Sequence, residues 1–315
     1  MSEEYKKGKS KKNRIYNVKI QHVDKNEDEI LKLTFNQSLP SSVDLSTSMD
    51  LIYDQGILGS CTACALSWAF KYRSRDINPS RLFIYYNERM LDQREGDNSV
   101  SIDDGSTLKQ GVNSLKRFGV CGENLLPYIP RKFAQKPLPV CYNQALNNKI
   151  RNYSFLPQNI EAMKNCLNQG YPFVFGILVF SSIEDDVVDH TGVVPYPNVG
   201  SESLLGGHAI IAVGYDDATQ RIKFANSWGR GWGNKGYGYI PYSYITNKNL
   251  TDDLWVIYNV TRKNNSKKNK RKIRGGKRRR GKLRLHKNDK PHFHKNSFKK
   301  TSVSDIVNKE FHFRM

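Results

Sequence analysis

The chain has 315 residues, with 50 Lys and Arg against 30 Asp and Glu, a formal net charge of +20, and 38% hydrophobic residues. That apolar share excludes a wholly disordered chain, and the length can bury a core without covalent staples. The longest apolar run, FVFGILVF at 173–180, is far too short to cross a bilayer, so no transmembrane segment is expected.

Charge is concentrated at one end. Residues 262–315 hold 21 Lys and Arg against Asp289, Asp305 and Glu310, a net of +18, which leaves +2 for the preceding 261 residues. Three parts follow: a polar, lysine-rich extension at 1–38, a nearly neutral folded unit at 39–261, and a basic tail at 262–315. The opening stretch, MSEEYKKGKSKKNR, has no apolar run of the kind that directs export. A soluble protein that stays inside the cell is expected.

The first chemically informative stretch is DQGILGSCTACALSWAF at 54–70. Gly59 and Ser60 make a tight turn, Ser60 is a candidate N-cap, and Cys61 becomes the first residue of a helix. A thiol at that position feels the positive end of the helix, and a neighbouring imidazolium can bring a cysteine pKa to roughly 3.5–7.5. From Ala63 to Tyr72 the helix has almost no polar face, so it belongs inside a domain.

Further along, Glu184, Asp185, Asp186 and Asp189 form an acidic loop, read as a solvated turn in preference to a site for basic substrates. The run GGHAIIAVGYDD predicts a strand with His208 at its start, where Gly206 and Gly207 let another backbone pass close by. Asn226 ends the next strand, RIKFAN, and Trp228 follows in a glycine-rich stretch. Competing readings carry less. Cys61 and Cys64 make a CxxC, but there is no second CxxC or CxxH pair for zinc and no preceding apolar strand of the thioredoxin kind. His292 and His294 lack further ligands and read as solvated. No metal and no organic cofactor is expected.

Taken together, LPSSVDL at 39–45, DQGILGSCTACA at 54–65, PSRLFIYYNERM at 79–90, DDGSTLKQGVNSLKRFGVCGENLLPY at 103–128, GYPFVFGILVF at 170–180 and the stretch from TGVVPYPN to GYGYIPYSYI at 191–245 resemble the papain-like (C1) cysteine peptidases, especially a bacterial and viral branch. His208 follows Cys61 by 147 residues and Asn226 follows it by 165, close to the spacing of that class. The resemblance implies an α+β fold of two lobes: a helical left lobe built on the Cys61 helix and the 79–90 and 107–118 segments, and a β-barrel-like right lobe carrying His208 and Asn226.

It also implies roles. Cys61 is the nucleophile, His208 the base and later acid, and Asn226 the group that orients the imidazole. Gln55, six residues before Cys61, donates to the oxyanion together with the Cys61 amide. Trp228 shields the His208–Asn226 contact from water. Gly105 and Ser106, with Gly207, pair with the backbone of an extended substrate. The expected activity is endopeptidase hydrolysis of proteins or peptides by a monomer; aminopeptidase or transpeptidase chemistry would use the same acyl-enzyme.

Two positions depart from the family pattern: Thr62 replaces an aromatic residue, and Leu58 replaces a cysteine that pairs with one near the glycine-rich substrate stretch, here SIDDGST. Both halves of that disulfide are missing, and five cysteines cannot all pair internally, so reduced thiols are expected. The 1–38 extension is too short for the family's helical prodomain but long enough to lie across the cleft. The tail, with KKNKRKIRGGKRRRGKLRLHK at 267–287, has no period and is expected to be disordered. Residues 262–290 could bind nucleic acid non-specifically, serve as a nuclear address, or dock on anionic surfaces. A packaging scaffold that keeps the protease fold is the alternative function; a nucleus, a virus particle or a bacterial cell are the compartments left open.

Overall fold

The computed structural model describes residues 13–19, 38–92 and 99–261. The expectations for the basic tail lie outside them. In chain order the elements are β1 (Ser42–Asp44), α1 (Cys61–Arg73), α2 (Arg81–Leu91), α3 (Leu108–Arg117), α4 (Pro139–Ala145), β2 (Ile150–Phe155), α5 (Ile160–Asn168), β3 (Phe173–Phe180), α6 (Asp186–Thr191), β4 (Leu204–Asp216), β5 (Arg221–Ala225), β6 (Tyr237–Pro241), α7 (Tyr242–Thr246) and β7 (Thr251–Val260).

The strands pair antiparallel in the order β2-β7-β3-β4-β5-β6, with β1 also on β4. β3 is the apolar run FVFGILVF, and all of it but Leu178 is buried. A strand so uniformly apolar needs cover on its faces as well as partners at its edges: β7 and β4 pair along the edges, and helices α1 and α3 contact it from outside the sheet. Helices α1, α2 and α3 pack on one another, and α1 also lies against β4 and β7. Every residue of α1 from Cys61 to Phe70 is buried, as its lack of a polar face requires.

Local capping explains where most helices begin. Ser80, Thr107 and Asn159 accept from the amides of Phe83, Gln110 and Ala162, starting α2, α3 and α5. Ser60 differs from expectation. It occupies the N-cap position of α1, but its hydroxyl makes no capping bond and instead pairs with the Tyr128 hydroxyl at 2.6 Å. His208 also lies inside β4, opposite Ile177, and not at its start, because Gly206 and Gly207 are themselves paired to β3.

The loop that leads into Gly105 is held by an internal arginine. Arg89, 1% exposed, donates to the carbonyls of Tyr85, Val100, Ile102 and Phe133. A planar guanidinium can serve several carbonyls at once, whereas a lysine ammonium cannot span them. Arg89→Lys should therefore leave buried carbonyls unpaired and lower stability by about 2–3 kcal/mol, read from denaturant unfolding at constant slope.

Candidate active site

Cys61 opens α1, and His208 is carried by β4, the strand against which α1 packs. Ala209, next in the chain to His208, directs its amide at the Cys61 sulfur. The nucleophile candidate and the strand that carries the imidazole thus meet where a helix N-terminus touches β4.

The imidazole is fixed from behind. His208 Nε2 lies 2.8 Å from Asn226 Oδ1, and the Ser227 amide donates to that same oxygen at 2.9 Å. An amide can only donate, so the shared atom is an oxygen and Nε2 carries the proton. Nδ1 is then the lone-pair nitrogen, and it has no hydrogen-bond partner among the described residues. Asn226 follows β5 directly, held by its own amide to the Gly236 carbonyl. Trp228 stacks on His208 with centroids 4.8 Å apart and planes 25° apart, and Trp232 braces the indole edge-on at 5.1 Å.

Gln55 is 1% exposed and tied at both ends of its amide: Nε2 donates to the Leu58 carbonyl at 3.0 Å, and Oε1 accepts from the Ser227 hydroxyl at 2.5 Å. One Nε2 proton remains beyond the Leu58 bond. Its backbone is pinned as well, by Gln55 N to the Ser227 carbonyl and by the Tyr128 hydroxyl to its own carbonyl, both at 2.9 Å. Three of the four residues expected to act together, Gln55, Asn226 and His208, are therefore connected through Ser227.

The cleft is filled by the chain's own residues 13–19. Val18 N donates to the Gly207 carbonyl and Lys19 N to the Ser106 carbonyl, each at 3.1 Å, and Asn17 bridges to Gly207. These are the backbone positions expected to pair with an extended substrate. Glycine is needed at two of them. A Cβ at Gly105, φ +67°, would lie 2.0 Å from the Asn17 carbonyl oxygen, and one at Gly207 would lie 2.2 Å from that of Val18. Tyr16 sets its ring edge-on to His208 and Trp228 and donates to Glu184 at 2.9 Å. Arg14 lies over Trp228 at 4.4 Å and pairs with Asp189 at 2.5 Å. The acidic stretch is thus more than a solvated turn: Glu184 and Asp189 line the cleft, because α6 packs beside the glycine-rich loop through Gly233 N to the Asp189 carbonyl.

Burial sets the ionisation state. It pushes the Cys61 thiol up to about 12, outweighing the Ala209 amide, and it pulls His208 down to about 4 against the favourable bond to Asn226, with Arg14 adding to the depression. Both shifts favour a neutral thiol and a neutral imidazole in this covered form, so desolvation here opposes the expected thiolate. Cys61 is 0% and His208 1% exposed.

Sequence reasoning missed Glu88. It is fully buried behind α1, accepts from the Thr62 hydroxyl at 2.5 Å, and is pushed up to about 8 by burial. Thr62, a departure from the family pattern, is thereby the hydroxyl bonded to its Oε1, while Oε2 is buried without a hydrogen-bond partner among the described residues. All five cysteines are buried free thiols. No group of His, Cys, Asp and Glu among the described residues is arranged to hold a metal ion, and no described helix is long and apolar enough to cross a membrane.

Comparison with known proteins agrees with this geometry. The model of the papain family of cysteine proteases matches residues 39–258. An uncharacterized peptidase C1-like protein of Acanthamoeba polyphaga mimivirus is 39% identical over 222 residues, covering 66% of this chain and 70% of that protein. A cathepsin L-like proteinase of Fasciola hepatica is 26% identical over 212 residues, covering 64% of this chain and 60% of the proteinase. Among solved structures, xylellain, a cysteine protease from Xylella fastidiosa, superposes with a TM-score of 0.67 at 38% identity over 77% of this chain and 94% of that one. The chain belongs to the papain family of cysteine proteases, and its activity is that of a cysteine peptidase.

Proposed function

We propose that the chain is a latent endopeptidase that hydrolyses peptide bonds through a Cys61 thioacyl-enzyme. The observation that carries this reading is the buried His208 Nε2 to Asn226 bond, which leaves Nδ1 as the ring nitrogen with a lone pair, on the strand whose next amide, that of Ala209, is directed at the Cys61 sulfur. Once the cleft is vacated, both groups return towards their ordinary values, and Nδ1 takes the Cys61 proton as a substrate carbonyl is brought up. The thiolate adds to the scissile carbonyl, and the oxyanion takes bonds from the Cys61 amide and the free Gln55 proton. The imidazolium then gives its proton to the leaving amine. Water, deprotonated by Nδ1, attacks the thioester carbonyl, and the thiol is regenerated with release of the acid.

Direction explains why residues 13–19 block the cleft without being cut. The leaving amine must collect its proton from His208, so the C-terminal half of a substrate departs past Trp228 and the N-terminal half pairs along Ser106. The segment runs the other way, with Arg14 on Trp228 and Lys19 on Ser106. Its peptide groups are reversed relative to the attacking sulfur.

Cys61→Ala should abolish turnover with an unchanged circular dichroism spectrum, and Gln55→Ala should lower kcat/KM by about 10²–10³. Turnover by the Cys61 variant would sink the mechanism.

Closure should also depend on pH. His208 is depressed on burial, so the stability it lends to the covered form is present above its ordinary 6.5 and is lost as pH falls towards about 4. Cys61 is raised, so its share is present below its ordinary 9.0 and is lost as pH rises towards about 12. Protection of the Val18 and Lys19 amides from hydrogen exchange, corrected for intrinsic rates, should therefore be greatest between about 6.5 and 9 and decline on acidification.

The tail supports a second property on charge alone. Removing residues 262–315 should leave hydrolysis of a small peptide intact and abolish retention on nucleic acid, which in the full chain should weaken steeply with salt.

A further inference from the structure

The contact made by Arg14 describes a binding site as well as a plug. Its guanidinium is sandwiched between the face of Trp228, 4.4 Å away, and the Asp189 carboxylate at 2.5 Å. Neither wall is a loose surface group. The indole is backed by Trp232 and stacked on His208, and the Asp189 backbone is bonded to both Asp185 and Gly233, so acid and indole are held in fixed relation. With the segment's Arg14 side chain 14% exposed and Asp189 25% exposed, the ion pair is partly desolvated, where charge and stacking contribute more than at an open surface.

We propose that Trp228 and Asp189 form a guanidinium-binding subsite on the leaving-amine side of the scissile bond, so that arginine shortly after that bond is a specificity determinant for peptide substrates. The proposal rests on the peptidase reading above and deepens it. A side chain does not need its backbone direction to match in order to enter a pocket. A substrate running opposite to residues 13–19 can present arginine to the same two groups once the segment has left. Arginine fits better than lysine because the planar cation covers the indole while its N–H groups reach the carboxylate. Glu184, which accepts from Tyr16 one position along the same wall, extends the negative field over that side of the cleft.

The test uses the full chain carrying Arg14→Ala and Tyr16→Ala, which empties the subsite. Peptides share one acyl half and carry arginine, its neutral isostere citrulline, lysine or glutamate at each of the first few positions after the scissile bond. At one of these positions arginine should exceed citrulline about tenfold in kcat/KM, and adding Asp189→Asn should bring that ratio close to one. Cleavage of all peptides at equal rates, or a preference that survives Asp189→Asn, would overturn the subsite and leave the peptidase standing. Binding of the same peptides to the chain carrying Cys61→Ala in addition, followed by fluorescence anisotropy, gives a readout free of turnover. If no peptide is cleaved but arginine still binds about tenfold more tightly in an Asp189-dependent way, the subsite stands and the peptidase reading falls. Absence of both preferences overturns the subsite.

Discussion

Burial of α1 on all sides is the constraint from which the site follows. A helix whose residues from Cys61 to Phe70 are all enclosed has no freedom to slide or rotate, so its first residue is delivered to one point on β4. That point is beside His208, and the helix end there leaves its unsatisfied amides at the place where an anion must form. A half-exposed helix could shift by an ångström to relieve strain. This one would have to repack the core between α2, α3 and the sheet.

Around that fixed point the polar groups are economical. Ser227 serves His208 indirectly through the Asn226 oxygen and Gln55 directly through its hydroxyl, so these two side chains share one positioning residue. Buried polar networks of this kind hold geometry only when every member is satisfied. The atoms left over among the described residues include His208 Nδ1 and Asn226 Nδ2, which lie next to the reacting centre.

The fold and the residues gathered at the candidate site were legible where the signal was local. The apolar α1, the glycines before His208 and the strand before Asn226 can be read from short windows, and the spacing of Cys61, His208 and Asn226 supplied the rest by resemblance. What was not legible depends on groups distant in sequence. Arg14 meets Asp189 across 175 residues, and Tyr16 meets Glu184 across 168, contacts that leave no period in either segment. The acidic stretch therefore looked like a solvated turn. Ser60 had the right identity for a cap, but a tertiary hydroxyl, that of Tyr128, takes its oxygen. Cys61 had the right position for a thiolate, but the covering segment removes the water a charge would need.

The segment that fills the cleft is joined to the catalytic unit by only 18 residues, 20–37. Because plug and site belong to one chain, their encounter is intramolecular and independent of how dilute the protein is. Dilution cannot release it, and a free peptide must outcompete a neighbour that never diffuses away. Cutting the leash anywhere changes this at once, because the same seven residues, unchanged in every contact, then become an ordinary ligand whose occupancy falls with concentration. The latency proposed for this chain would be a property of connectivity as much as of affinity.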